Sequence, residues 1–256
     1  MQPQRVWEGQ SLRLARLLCL LLLLSLPAHA TWTLVQFKQS AACTTTSQTC
    51  SFTGITSTGA NHVIVVFMGV AVNAEVITAI SDGVGGTYVY PATSSCNISD
   101  SGAPGSVSCA YTVASSSGIT SMTVTRTSTT TGAWNMKLME FSSDQASPTF
   151  DNLTTSIQTP ASTAPTNPSI TITGTNDVVA EFLRGGAGSA VAAPYTGFLT
   201  QNLTSGAYAL NQASAPSCVW TTASGKAQMV GIAFKEPAAA NVQPIVDIIT
   251  ENRPPQ

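Results

Sequence analysis

Glu140 and Glu181 are the residues whose type and setting most invite a chemical reading. Each stands in an otherwise apolar stretch, "KLMEF" and "VVAEFL". Two carboxylates on neighbouring strands, facing each other across a cleft, are the machinery of glycoside hydrolysis, one as acid and one as nucleophile or base. The plainer use is structural. Each could face solvent on the strand alternation, or pair with Arg126, Lys137 or Arg184. Glycosidase carboxylates usually keep aromatic company, and aromatics are few here. His62 is the one histidine beyond the first thirty residues. A nucleophilic triad needs serine, histidine and an acid in mutual reach, and the usual Gly-x-Ser-x-Gly elbow is absent. His62 therefore reads as the polar start of a strand.

Aromatic side chains could instead stack on a sugar. Tyr88 and Tyr90 lie two apart, on one face of a strand, and with Trp134 they form the candidate binding set. Trp32, Trp220, Tyr195 and Tyr208 are further candidates, although most aromatics in β proteins are core. Calcium needs several oxygen ligands in a short loop. "SDGVGG" and "CNISDSG" each offer a single aspartate. There is no C-x-x-C pair or Cys/His cluster for zinc. The sequence points to no metal and no cofactor. Asn97, Asn152 and Asn202 head glycosylation sequons, which matter only in a glycosylating host.

The elements that must position these residues follow from composition. The first thirty residues read as a Sec signal peptide. Arg5, Arg13 and Arg16 precede a leucine run over 17–26, and Pro27 is followed by Ala28-His29-Ala30, which places cleavage after Ala30. The run is too short to span a bilayer comfortably. No later stretch reaches that length, so no membrane span is expected after cleavage. The chain carries 10 Lys and Arg against 12 Asp and Glu, net charge −2, which gives no electrostatic footprint for nucleic acid. Cys19 leaves with the signal. Cys43–Cys50 and Cys96–Cys109 are the two local pairs, and Cys218 is left over.

From Thr31 onward, strand signals recur about every ten residues between Gly, Pro, Ser and Asn punctuation. The first part predicts strands at 31–38, 49–55, 62–72, 76–82, 87–93, 106–115, 121–128 and 134–142. The second predicts 169–174, 177–183, 195–202, 207–212, 217–223 and 227–235. "GVGG" (83–86) supplies a turn with φ > 0. The Thr/Pro-rich 155–168 reads as a linker between halves at 31–154 and 169–236, and 237–256 as a C-terminal tail. The halves echo each other. "TGANHV" (58–63) recurs as "TGTNDV" (173–178), and "WNMKLMEF" and "QMVGIAF" both end in Phe. Gly59 and Gly174 are read as the turn formers. Asp177 stands where the first copy has His62, and Glu181 where it has Val66.

Val35-Gln36, "GANHVIVV", "DGVGGTY" (82–88), "MEFS" (139–142) and "GIAF" (231–234) together resemble a group of exported bacterial β-sandwich domains with two similar halves. The resemblance covers most of the chain after residue 30 and implies fold and export, with no catalytic residues to carry over. The sequence thus predicts an all-β, antiparallel β-sandwich, jelly-roll or Ig-like, spanning 31–236 after a signal peptide. It would be secreted or at the cell surface. Its role would be non-enzymatic binding, adhesion or extracellular structure, toward a glycan or an extracellular or cell-surface protein. The alternative is a secreted glycoside hydrolase using Glu140 and Glu181.

Overall fold

The computed structural model describes residues 31–236 apart from 42, 57, 92–95, 101–102, 128–131, 145–146, 186–187 and 202–203. The expected signal peptide at 1–30 and tail at 237–256 lie outside the described residues. The described chain is all-β, with sixteen strands in antiparallel sheets.

Strands β1 (Trp32–Gln39), β8 (Trp134–Ser143), β3 (Val63–Val70), β6 (Ala103–Thr112) and β5 (Ile98–Asp100) form one five-stranded sheet in that order. β2 (Thr49–Phe52), β7 (Met122–Arg126) and β4 (Ile77–Ser81) form a three-stranded sheet. A second five-stranded sheet runs β9 (Thr149–Ser162), β16 (Gly225–Lys235), β11 (Asp177–Arg184), β14 (Thr204–Gln212), β13 (Thr196–Gln201). A second three-stranded sheet runs β10 (Thr166–Asn167), β15 (Cys218–Thr222), β12 (Gly188–Val191). Adding eight to each strand number of the first pair of sheets gives the order of the second. The registers follow suit: Val63 lies opposite Phe141 on β3–β8, and Val178 opposite Phe234 on β11–β16.

The core has three apolar layers. The middle layer brings Val63, Val65 and Phe67 of β3 and Phe141 of β8 together with Phe182 of β11 and Phe234 of β16. Phe67 and Phe182 stack across it, ring centroids 5.3 Å apart. The opposite face of β3–β8, with Ile64, Val66 and Leu138, packs on Phe52, Ile77 and Val124 of the small sheet. The opposite face of β11–β16, with Val179, Leu183 and Met229, packs on Ile170, Cys218 and Trp220. β3 and β11 are therefore covered on both sides. This is why they read as continuous apolar runs without alternation.

Three expectations change. The 155–168 segment carries the end of β9 and all of β10 rather than a linker. The chain crosses from one five-stranded sheet to the other between Ser143 and Thr149. β9 is an edge strand of its sheet. Conversely, the strand predicted at 169–174 is not paired. Side chains hold its backbone instead, with Asn152 donating to Thr171 O and Asp151 accepting from Thr173 N. The 87–93 strand reduces to a single bridge, Val89 with Tyr111.

Candidate functional site

Strand alternation decides where each glutamate goes. On β8, Met139 and Phe141 face the middle layer, so Glu140 projects with Leu138 and Met136 into the first outer layer. On β11, Val178, Ala180 and Phe182 face the middle layer, so Glu181 projects with Val179 and Leu183 into the second outer layer. Both carboxyls are fully buried, and the two five-stranded sheets lie between them. They share no groove. Neither takes the plain alternative of facing solvent. Arg126 is occupied by Ser47 O at 3.1 Å and Thr45 O at 2.8 Å. Lys137 and Arg184 are odd steps away from the glutamates on their strands, hence on the opposite faces.

Glu140 is held by the turn that opens β3. Asn61 adopts φ 60°, the left-handed conformation asparagine tolerates best after glycine, so the turn is made there and not by Gly59. Ser115 fixes the turn, accepting from His62 N at 3.0 Å and donating to Gly59 O at 2.7 Å. His62 then lies over Gly59, where an added methyl would come 2.5 Å from Nε2. Its Nδ1 is 2.6 Å from Glu140 Oε1. Gln36 Nε2 donates to Glu140 Oε2 at 2.5 Å, and the Gly59 amide donates to Oε1 at 3.3 Å. Gln36 is itself tied to Thr56 through both ends of its amide.

Paired with a carboxyl oxygen, Nδ1 faces into the protein and Nε2 is the ring nitrogen left for other contacts. The His62 side chain is 21 % exposed. A histidine ring held by a carboxyl is a setting that general bases use. The neighbouring hydroxyl of Ser115, however, is committed to backbone on both sides. As built, the arrangement secures a buried carboxylate and pins the β3 turn to β1 and β8. The sequence reading set His62 aside and missed its partner, which lies 78 residues away. Only the β3–β8 register, with Ile64 opposite Glu140, brings the two together.

At the matching turn Asp177 replaces His62, and Gly174 again leaves room, its would-be methyl 2.8 Å from Asp177 Cγ. Asp177 is buried and faces the Asp151 carboxyl. Burial first and Asp151 second push its pKa up to about 7, against the pull of Lys235 and the Gly174 amide. Burial also acts on Asp151, but the Thr173 hydroxyl and amide, Lys235 and Asp177 outweigh it and hold Asp151 below the usual range. Lys235 Nζ sits 3.1 Å from Asp151 Oδ1.

Glu181 has one protein donor, Asn167 Nδ2, at 2.7 Å from Oε2. Its carboxyl occupies the space a side chain at residue 231 would take, since a methyl on Gly231 would lie 2.7 Å from Cδ. Burial raises its pKa to about 8, with the Asn167 bond pulling the other way. Cys218 and Tyr195 share this layer. Burial, and then the Glu181 charge, push both upward, so the free thiol is inert in the native state.

The candidate stacking set is not assembled. Trp134 is buried, its indole N–H donating to Thr44 O and its ring carrying the Arg126 guanidinium at 5.1 Å. Tyr88 is buried with its hydroxyl on Asp82, and Trp32, Trp220 and Tyr195 are buried as well. Tyr90 is 39 % exposed, and its hydroxyl accepts from Ile80 N. Both expected cysteine pairs are joined, Cys43–Cys50 and Cys96–Cys109. Asn97 is part-buried and bonded to Pro91 O and Ser108, so its sequon is occupied by structure. Among the described residues, no three His, Cys, Asp and Glu side chains are grouped to hold a metal ion, and no helix is long and apolar enough to cross a membrane.

Comparisons with protein-family models, with curated proteins and with solved structures give no match to this chain.

Proposed function

We propose that the chain is an exported, non-enzymatic β-sandwich protein that works through its outer surface, in extracellular adhesion or structure. Its two halves, each jelly-roll- or Ig-like, are two versions of one eight-strand unit packed through their larger sheets. The identical strand orders and the matched Val63–Phe141 and Val178–Phe234 registers support that reading. The leucine-rich amino terminus followed by Ala-His-Ala supports export. Two disulfides in a chain with few charges fit an oxidising compartment.

One observation carries the non-enzymatic part. The two carboxyls best suited to hydrolysis are buried on opposite sides of the central layer, whereas glycosidase carboxyls flank one bond about 5–10 Å apart. The exposed apolar residues of the 82–90 loop, Val84, Val89 and Tyr90, are the first contact surface to examine for a glycan or a cell-surface protein. A glycan array probed with the chain from Thr31 onward, paired with a reducing-end assay on the same polysaccharides, tests the proposal. The expected result is no release of reducing ends. Release that disappears in Glu140→Gln or Glu181→Gln would overturn it.

A further inference from the structure

Among the described residues of the β9–β16 half, the buried oxygens without a hydrogen-bond partner include Asp177 Oδ1 and Oδ2, Glu181 Oε1 and Asn167 Oδ1. Burying such atoms unpaired is costly, so nearly all of them find partners in folded proteins. No N–H or O–H reaches Glu181 Oε1, and the Gly174 amide lies beside the Asp177 carboxyl without making a full hydrogen bond; a proton on each acid would complete their bonding. On Glu181, Asn167 Nδ2 already binds Oε2 at 2.7 Å, and the two atoms left over are the remaining oxygen of each group. A proton on Oε1 closes a two-bond ring between carboxylic acid and carboxamide. On Asp177, the facing group is another carboxylate, Asp151, which already takes Thr173 N at 2.6 Å, the Thr173 hydroxyl and Lys235. Two facing carboxyls bond only when one keeps its proton.

We propose that this half folds around two protonated carboxylic acids, Asp177 bonded to Asp151 and Glu181 bonded to Asn167, which together form a proton-loaded latch that loosens in base. The surroundings agree. The titratable groups facing Glu181 are Cys218 of β15 and Tyr195 ahead of β13, both kept neutral by burial. β10 brings Asn167 and β16 brings Gly231, neither of them charged. Asp177 is faced by Asp151 of β9 and by Lys235 of β16, and Lys235 spends its charge on Asp151. Burial sets the direction at both acids, with pKa values of about 7 and about 8.

An acid whose pKa rises on folding adds stability that is complete below its unfolded value and is lost as pH climbs through the folded value. Each such proton raises the unfolding constant about tenfold per pH unit inside that window. The test is denaturant unfolding of the whole chain from about pH 5 to about pH 9, with infrared detection of the protonated-carboxyl C=O stretch. The unfolding constant should rise by roughly a hundredfold per pH unit at the acid end of that range, and a COOH band should persist near neutrality. Asp177→Asn and Glu181→Gln should each lower the slope to about tenfold and each remove part of the band. Glu181→Gln, which keeps the two-bond ring with Asn167, should resist denaturant better than the parent in base. A parent spectrum without a COOH band, or variants with the parent's pH slope, would overturn the proposal. The parent spectrum decides even if a variant does not fold.

Discussion

Glu140 Oε1 and His62 Nδ1 lie 2.6 Å apart, joining the last turn before β3 to the middle of β8. The bond makes His62 a support for the buried Glu140 carboxyl. Glu140→Ala should cost about 3 kcal/mol, because it strands His62 Nδ1 and the Gly59 amide next to a new cavity. His62→Ala should cost less, roughly 1–2 kcal/mol, since Gln36 and the Gly59 amide still serve the carboxylate. Denaturant midpoints of the two variants measure the order directly.

The glycines of the repeated Thr-Gly-x-Asn motif are conformationally ordinary and sterically necessary. Gly59→Ala would drive a methyl into the His62 ring, and Gly174→Ala into the Asp177 carboxyl. Gly231→Ala would meet Glu181 in the same way. Each should destabilise by about 1–3 kcal/mol, where Gly→Ala at an open strand position is neutral or helpful. Thermal unfolding of the three variants beside an exposed glycine control reads this out.

Lys137 is fully buried on the middle-layer face of β8, bonded to Gln39 and lying 5.9 Å over the Phe37 ring. Burial lowers its pKa to about 8. A lysine lowered on folding costs stability below its folded pKa and recovers it as pH rises toward its unfolded value. Lys137→Met should therefore raise stability by about 1–3 kcal/mol at neutral pH, with Gln39 free to meet solvent. Calorimetry at one pH on each side of 8 would show the gain shrinking in base.

Strand-length apolar runs and turn punctuation make most strands legible in the sequence, including β3, β8, β11 and β16, which carry the core. Both disulfides were legible too, because each closes a local loop. The misread segments share one cause. Strand pairing is decided by neighbours, so the Thr/Pro-rich 155–162 becomes a strand where β16 offers an edge, while the β-branched 169–174 finds its partners in side chains. The site was partly hidden for a related reason. Glu140 and Glu181 stood out as carboxylates in apolar strands, but their burial follows from which faces the outer sheets cover. His62 and Glu140 meet only through register, and nothing local to either residue announces it.

The disulfides should matter most to the β1–β8 half. Loss of either Cys43–Cys50 or Cys96–Cys109 should cost roughly 2–3 kcal/mol from loop entropy. Cys218 should stay unmodified by a thiol reagent in the native protein and react on unfolding, since it is fully buried. Mass mapping before and after denaturant separates the five cysteines beyond residue 30.

The two five-stranded sheets share one core layer, and the strands on either side of it turn the carboxylates and most aromatics inward. The stacked pair Phe67 and Phe182, one from each unit, tests it most directly. A double-mutant cycle of Phe67→Leu and Phe182→Leu keeps apolar volume while removing the ring stack. One cooperative transition with a coupling of about 0.5–1.5 kcal/mol is the predicted result. Strictly additive effects, with the two units unfolding in separate transitions, would contradict it.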